Sequence, residues 1–136
     1  MEWINDIMIS DVVSVKKGTP IVEAIEKLVK SNVTGLPVVN NNNEVIGIIS
    51  EKDVLALAIS IHEKIYISEK EGMLVEDFMT KDVVTIEATE SLTALCSCLM
   101  KNIFRRLPVL LNGKLEGIVT RKDVISYIFD LHCENQ

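Results

Sequence analysis

Two stretches of the sequence place a hydroxyl three residues before a carboxylate: Ser50-Glu51-Lys52-Asp53 and Thr120-Arg121-Lys122-Asp123. A carboxylate has several acceptor positions and can take both hydroxyls of a cis-diol. Where a helix starts at such a Ser or Thr, its unpaired N–H groups and its dipole also favour a phosphate. The same spacing has a purely local use. Ser/Thr-x-x-Asp is nearly a capping box, with Asp in place of Glu, and such a cap is worth ~1 kcal/mol with no ligand present. The two uses are compatible in one residue. A second concentration of chemistry is basic: Arg105, Arg106 and Arg121, all three arginines of the chain, lie in its second half. A guanidinium is a rigid fork matched to phosphate oxygens, although Arg121 reads as a solvated charge balancing an acidic protein.

Other chemistries lack their residues. Cys96 and Cys98 lie two apart in a helical stretch, on different faces, and Cys133 is near the C-terminus. An odd count without C-x-x-C spacing speaks against a zinc site and a disulfide framework. Cys96 is expected to be a small core residue and the other two free thiols. His62 and His132 have no second ligand at metal spacing and read as solvated helix residues. The sequence shows neither a Gly-rich phosphate loop nor a nucleophile–base pair recognisable by spacing. A net charge of −6 repels polyanions, and 4% aromatic residues leave little for base stacking, which speaks against nucleic acid as a partner. No apolar run reaches the length of a membrane span. The start, Met1-Glu2-Trp3-Ile4-Asn5-Asp6, lacks the charge and apolar stretch of a signal peptide. A cytoplasmic protein is expected, with no membrane association.

The elements that must position these residues come in two copies. Residues 6–15 (DIMISDVVSV) lie over residues 77–86 (DFMTKDVVTI) at a shift of 79 − 8 = 71, set by Met8 and Met79. The same shift superposes Ile21, Ala24, Ile25, Leu28 and Val29 on Leu92, Leu95, Cys96, Leu99 and Met100, and Leu36-Pro37-Val38 on Leu107-Pro108-Val109. Beyond one lost residue, Gly47 to Asp53 lies on Gly117 to Asp123 at a shift of 123 − 53 = 70. An ordered series of matches with one gap is a tandem repeat. Each copy reads as strand, helix, strand, hairpin turn, strand and helix. Val12 to Val15 is rich in β-branched residues and reads as a short strand. Gly18-Thr19-Pro20 supplies a turn, a candidate N-cap and a proline for the first helical position. Ile21, Ala24, Ile25, Leu28 and Val29 follow the rule of one buried helix face. Leu36 to Val39 is a strand with proline near its start, and Asn40 to Asn43 is a polar turn. Asn112-Gly113 is a strong two-residue turn signal. The late helices, carrying Leu55, Leu57, Ala58, Ile59 and Ile61 in one copy and Val124, Ile125, Ile128, Phe129 and Leu131 in the other, are apolar on more than one side. A homodimer is expected to cover them. The domain boundaries read as 1–61, a more charged connector 62–76, and 77–136.

This βαββα order taken twice, with Leu-Pro-Val at the second strand and Gly, two aliphatics, Ser/Thr and a downstream Lys-Asp after the third, resembles the CBS domain, and the resemblance runs from about Ile4 to Leu131. It implies an α+β fold, a CBS-domain pair in which two pseudo-twofold-related repeats pack through their sheets and form two related clefts. It further implies an adenosine-containing ligand, AMP, ADP, ATP or S-adenosylmethionine, with no catalytic cofactor required. By resemblance, Asp53 and Asp123 accept ribose hydroxyls, and Ser50 and Thr120 lie near ribose or phosphate. Adenine lies among Val13, Val15, Leu36 and Val38, or their counterparts Val84, Ile86, Leu107 and Val109. Basic residues just before Leu-Pro-Val, here Arg105 and Arg106, reach phosphate. The first copy has Thr34-Gly35 there, so the phosphate, and not a sugar acceptor present in both copies, is expected to favour one cleft. Glu90-Ser91 stands where the first copy has Thr19-Pro20, which alters a cleft lip.

The resulting expectation is a stand-alone regulatory module, not an enzyme, that senses an adenine nucleotide and signals by association with another protein. The alternative is a dimeric interaction scaffold with vestigial clefts. An enzyme acting on nucleotides fits less well, because it needs a general base and usually a metal.

Overall fold

Local chemistry ends the first strand almost as soon as it starts. The β-branched-rich run at 12–15 contributes only Val15–Lys16 (β1) to a ladder, because Gly18 turns the chain at φ 91°, a backbone region suited to glycine. The computed structural model describes Ile7 and residues 12–64, 73–101 and 106–134, the side chains of residues 60–64 and 134 excepted. Helix α1, Ile21–Ser31, follows. Its cap residue is Pro20 rather than Thr19, and no side chain caps it. The Thr19 carbonyl accepts from Val75 N at 2.8 Å, and Ile21 N finds Met73 O at 2.9 Å, so main chain does the work expected of the hydroxyl. Ile21, Ala24 and Leu28 are buried, while Val29, expected on the same face, is 72% exposed at the edge of the stripe.

The chain returns through β2, Gly35–Val39, and β3, Val45–Ser50, and enters α2, Glu51–Lys64, with no intervening loop. The strand order is β1-β2-β3, β1 parallel to β2 and β2 antiparallel to β3, so α1 is the crossover of a βαβ unit. Pro37 sits inside the central strand opposite Ile48. Ile48 turns both its N–H and its C=O outward to Thr80, at 2.9 and 2.8 Å, so the Pro37–Ile48 pair needs no hydrogen bond from the proline. Asn40 shapes the turn: its Oδ1 accepts from Asn42 N at 2.9 Å and Glu44 N at 3.0 Å.

The second copy repeats the plan with β4 (Ile86–Glu87), α3 (Leu92–Lys101), β5 (Arg106–Leu111), β6 (Lys114–Thr120) and α4 (Arg121–Glu134), in sheet order β4-β5-β6. Here a side chain does cap the crossover helix, Ser91 Oγ accepting from Ala94 N at 3.1 Å. Asn112 and Gly113 have φ 54° and 79°, the paired positive values that a tight two-residue hairpin turn requires. The fold is α+β, with two βαββα-like repeats and a three-stranded sheet in each.

Two compact units result, residues 13–83 and residues 84–136 with 1–12. The boundaries of these units differ from those of the sequence repeat. Val75 is fully buried in the core of the first unit, with Phe78 and Met79 packed against it, while Ile7 is buried in the core of the second. Each repeat's leading segment thus belongs to the unit built mainly from the other repeat. The physical reason lies at the edge of the sheet. Residues 73–80 run along the first unit, bridge Leu74 to Pro20 and Thr80 to Ile48, and so pair backbone groups that the start of α1 and β3 would otherwise expose. Gly47 permits this approach, because a Cβ there would strike Met79 Sδ and lie 2.9 Å from Thr80 O.

Candidate functional site

A strand that runs directly into a helix puts the helix's first turn at one end of the sheet, and both hydroxyl–carboxylate pairs lie at this junction. In the first unit Ser50 N and Ser50 Oγ both donate to Asp53 Oδ2 at 2.9 Å, and Asp53 N donates to Ser50 Oγ at 3.3 Å. In the second unit Thr120 N donates to Asp123 Oδ2 at 2.9 Å, and Asp123 N donates to Thr120 Oγ1 at 3.1 Å. The capping box expected from the spacing is therefore formed in both units, with Asp reaching as far as the usual Glu. Both aspartates remain half-buried and in reach of solvent.

The two carboxylates differ in their outer oxygen. Asp53 Oδ1 accepts from Thr80 Oγ1 at 3.0 Å. Among the described residues no donor reaches Asp123 Oδ1. Under the repeat shift Thr80 corresponds to residue 80 − 71 = 9, which is Ile9. Ile9 lies outside the described residues, but its side chain carries no donor. The expectation that a sugar acceptor is equivalent in both copies needs correction on this point. Thr80 was not among the residues singled out in the sequence. Its one signal there is the exchange of an aliphatic Ile9 for a hydroxyl-bearing Thr80 between the aligned Met and Asp of the two copies, and the neighbouring Ser10/Lys81 exchange stands beside it.

Strand register brings a further candidate to the second junction. Arg106 is the cross-strand partner of Thr120, where the first unit has Gly35 opposite Ser50. Arg106 is half-buried; Arg105 lies outside the described residues. The charges at the two helix starts also differ. Glu51, Lys52 and Asp53 sum to −1, while Arg121, Lys122 and Asp123 sum to +1. Arg121 is not simply solvated: its Nε donates to Leu99 O at 2.9 Å, holding a carbonyl in the last turn of α3.

Six of the eight apolar residues assigned to adenine are buried. Val15, Leu36 and Val38 are in the core of the first unit, and Ile86, Leu107 and Val109 in that of the second. Strand alternation sends those side chains inward. Val13 is 39% exposed and Val84 is half-buried, so these two retain surface. Cys96 and Cys98 pack against the second core, and Cys133 is exposed. Among the described residues no three His, Cys, Asp or Glu side chains come together as a metal site. No helix there is long and apolar enough to cross a membrane.

Comparison with known proteins adds family and fold. The CBS domain model matches residues 4–60 and 75–130. An uncharacterized protein of Methanocaldococcus jannaschii is 35% identical over 127 residues, which is 93% of this chain and 43% of that protein. An uncharacterized 17.7 kDa protein of Acidianus ambivalens is 32% identical over 131 residues, 95% of this chain and 74% of that protein. The chloroplastic CBS domain-containing protein CBSX2 of Arabidopsis thaliana is 31% identical over 145 residues, 90% of this chain and 60% of that protein. The crystal structure of CBSX2 in complex with AMP aligns at 34% identity with a TM-score of 0.78, covering 95% of this chain and 97% of that one. The chain thus spans between 43% and 74% of the length of these three relatives.

Proposed function

The chain belongs to the CBS domain family, with two CBS domains at residues 4–60 and 75–130, and from that premise we propose that it binds an adenosine-containing nucleotide and reports its presence by associating with other protein. The observation that carries this reading is the junction of β6 and α4. There a half-buried arginine stands opposite Thr120, a hydroxyl caps the helix, and Asp123 keeps an outer oxygen open among the described residues. Such a set has a cation and helix N–H groups for a phosphate and a carboxylate acceptor for a diol. The relative CBSX2, crystallised with AMP, supports AMP as the first ligand to test. ADP, ATP and S-adenosylmethionine share the adenosine and are the other candidates. Exposed Val13 and half-buried Val84, the members of the apolar set that retain surface, are the adenine contacts in this proposal.

The experiment is a thermal-shift series over AMP, ADP, ATP, S-adenosylmethionine and adenosine. A ligand at a hundredfold excess over its dissociation constant stabilises the native state by ~2.7 kcal/mol, a clear rise in melting temperature. If none of the five moves the transition, the nucleotide reading fails.

A second component of function rests on a separate observation. Leu55 and Ile59 on α2, and Ile125, Ile128 and Phe129 on α4, are each more than half exposed. Apolar side chains grouped along a helix in this way favour an interaction surface. We therefore propose that the signal leaves the module through these helices, first of all into a homodimer. If the clefts bound nothing, this surface would leave the interaction scaffold as the function.

A further inference from the structure

The first unit fixes Thr80 with unusual thoroughness. Val75 is fully buried in the unit's core, Glu76 Oε1 accepts from Gly18 N at 2.9 Å, and Thr80 exchanges both backbone hydrogen bonds with Ile48. The side chain of Thr80 is thereby delivered to Asp53 Oδ1 by main chain that has little freedom to withdraw it. A carboxylate has about four acceptor positions. At Asp53 the donors Ser50 N, Ser50 Oγ and Thr80 Oγ1 fill three of them. A cis-diol brings two hydroxyls and needs two positions that face it together. At Asp123, Thr120 N fills one, and the outer oxygen is untouched among the described residues.

We infer that Thr80 decides which half of the repeat takes the sugar: it makes Asp53 a structural carboxylate that clamps residues 73–80 to the first sheet, and it leaves Asp123 as the diol acceptor. The inference rests on the nucleotide reading above and adds to it a ligand stoichiometry and a specificity-determining residue. It is independent of the arginines, because it concerns the sugar and not the phosphate. Family resemblance alone would treat the two aspartates as equivalent.

Calorimetric titration with adenosine, which has no phosphate for Arg106 to favour, tests the inference on wild-type protein and on Thr80→Val. Valine keeps the shape and the backbone pairing but donates nothing. Wild-type protein is expected to bind a single adenosine per chain, and Thr80→Val to bind two. Asp123→Ala is expected to weaken binding by roughly tenfold or more, as loss of a charge-assisted hydrogen bond implies. Asp53→Ala is expected to lower the melting temperature while shifting the dissociation constant far less than Asp123→Ala does. Equal losses from the two aspartate variants, or an unchanged stoichiometry in Thr80→Val, would overturn the inference while leaving nucleotide binding intact. Should Asp53→Ala fail to fold, the stoichiometry of Thr80→Val decides alone. An absence of heat from wild-type protein with both adenosine and AMP would instead remove the nucleotide reading, and the inference with it.

Discussion

Asp53 and Asp123 occupy the same place in the two repeats and cap the same kind of helix, yet one carboxylate is enclosed by donors and the other is open on its outer side. The adjoining strand position widens the difference, Gly35 in one unit against Arg106 in the other. At this scale the arginine and the aspartate have separable roles. Arg106→Ala should weaken AMP by about tenfold or more, the worth of a charge-assisted hydrogen bond. Adenosine should change by no more than about twofold, since it lacks the phosphate. Calorimetry with both ligands on that variant checks the assignment. Equal losses would assign Arg106 to the fold rather than to phosphate.

Among elements, residues 73–80 do most to join local structure to the site. They supply the partner for the N-terminal turn of α1, complete the edge of β3 and place Thr80 on Asp53. Everything depends on the close approach at Gly47. Gly47→Ala puts a methyl group against Met79 and 2.9 Å from Thr80 O, a backbone atom that cannot step aside alone. The expected outcome is a loss of about 1–3 kcal/mol, the usual cost of overpacking, measured by urea denaturation. The same variant should expose the amide of Ile48 to faster hydrogen exchange, because that amide donates to Thr80 O. Unchanged stability and protection would mean that this segment rests on the sheet without holding it.

At the scale of the whole molecule, the late helices carry the prediction. Leu57 and Val124 are buried in their own units, which accounts for one apolar face of each helix. Leu55, Ile59, Ile125, Ile128 and Phe129 remain outside. A twofold pairing of chains is the commonest way to cover such residues. Sedimentation velocity at micromolar concentration should therefore show a species of twice 15.2 kDa. Phe129→Glu, a charge placed among the exposed apolar residues of α4, should return the 15.2 kDa monomer with its nucleotide binding retained. A wild-type monomer under those conditions would refute the dimer.

The repeat, the order of elements, the two turns and the two capping boxes were all legible in the sequence, because each is decided within a few residues. Periodicity fixes a buried helix face, Asn112-Gly113 can satisfy two positive φ angles, and Ser/Thr-x-x-Asp closes on itself. What sequence could not decide were matters of long-range placement. Of the eight apolar residues expected to line the adenine, alternation along the strands buries six in the cores and leaves surface on Val13 and Val84. The leading segment of each repeat aligned with its own copy, whereas burial of Ile7 and Val75 drew those segments into the opposite units. Thr80 is 27 residues from Asp53 in the chain, so no local spacing could announce their hydrogen bond. Only the closure of a sheet edge over Gly47 brings the two together, and that one contact makes two equal sequence motifs unequal in the folded protein.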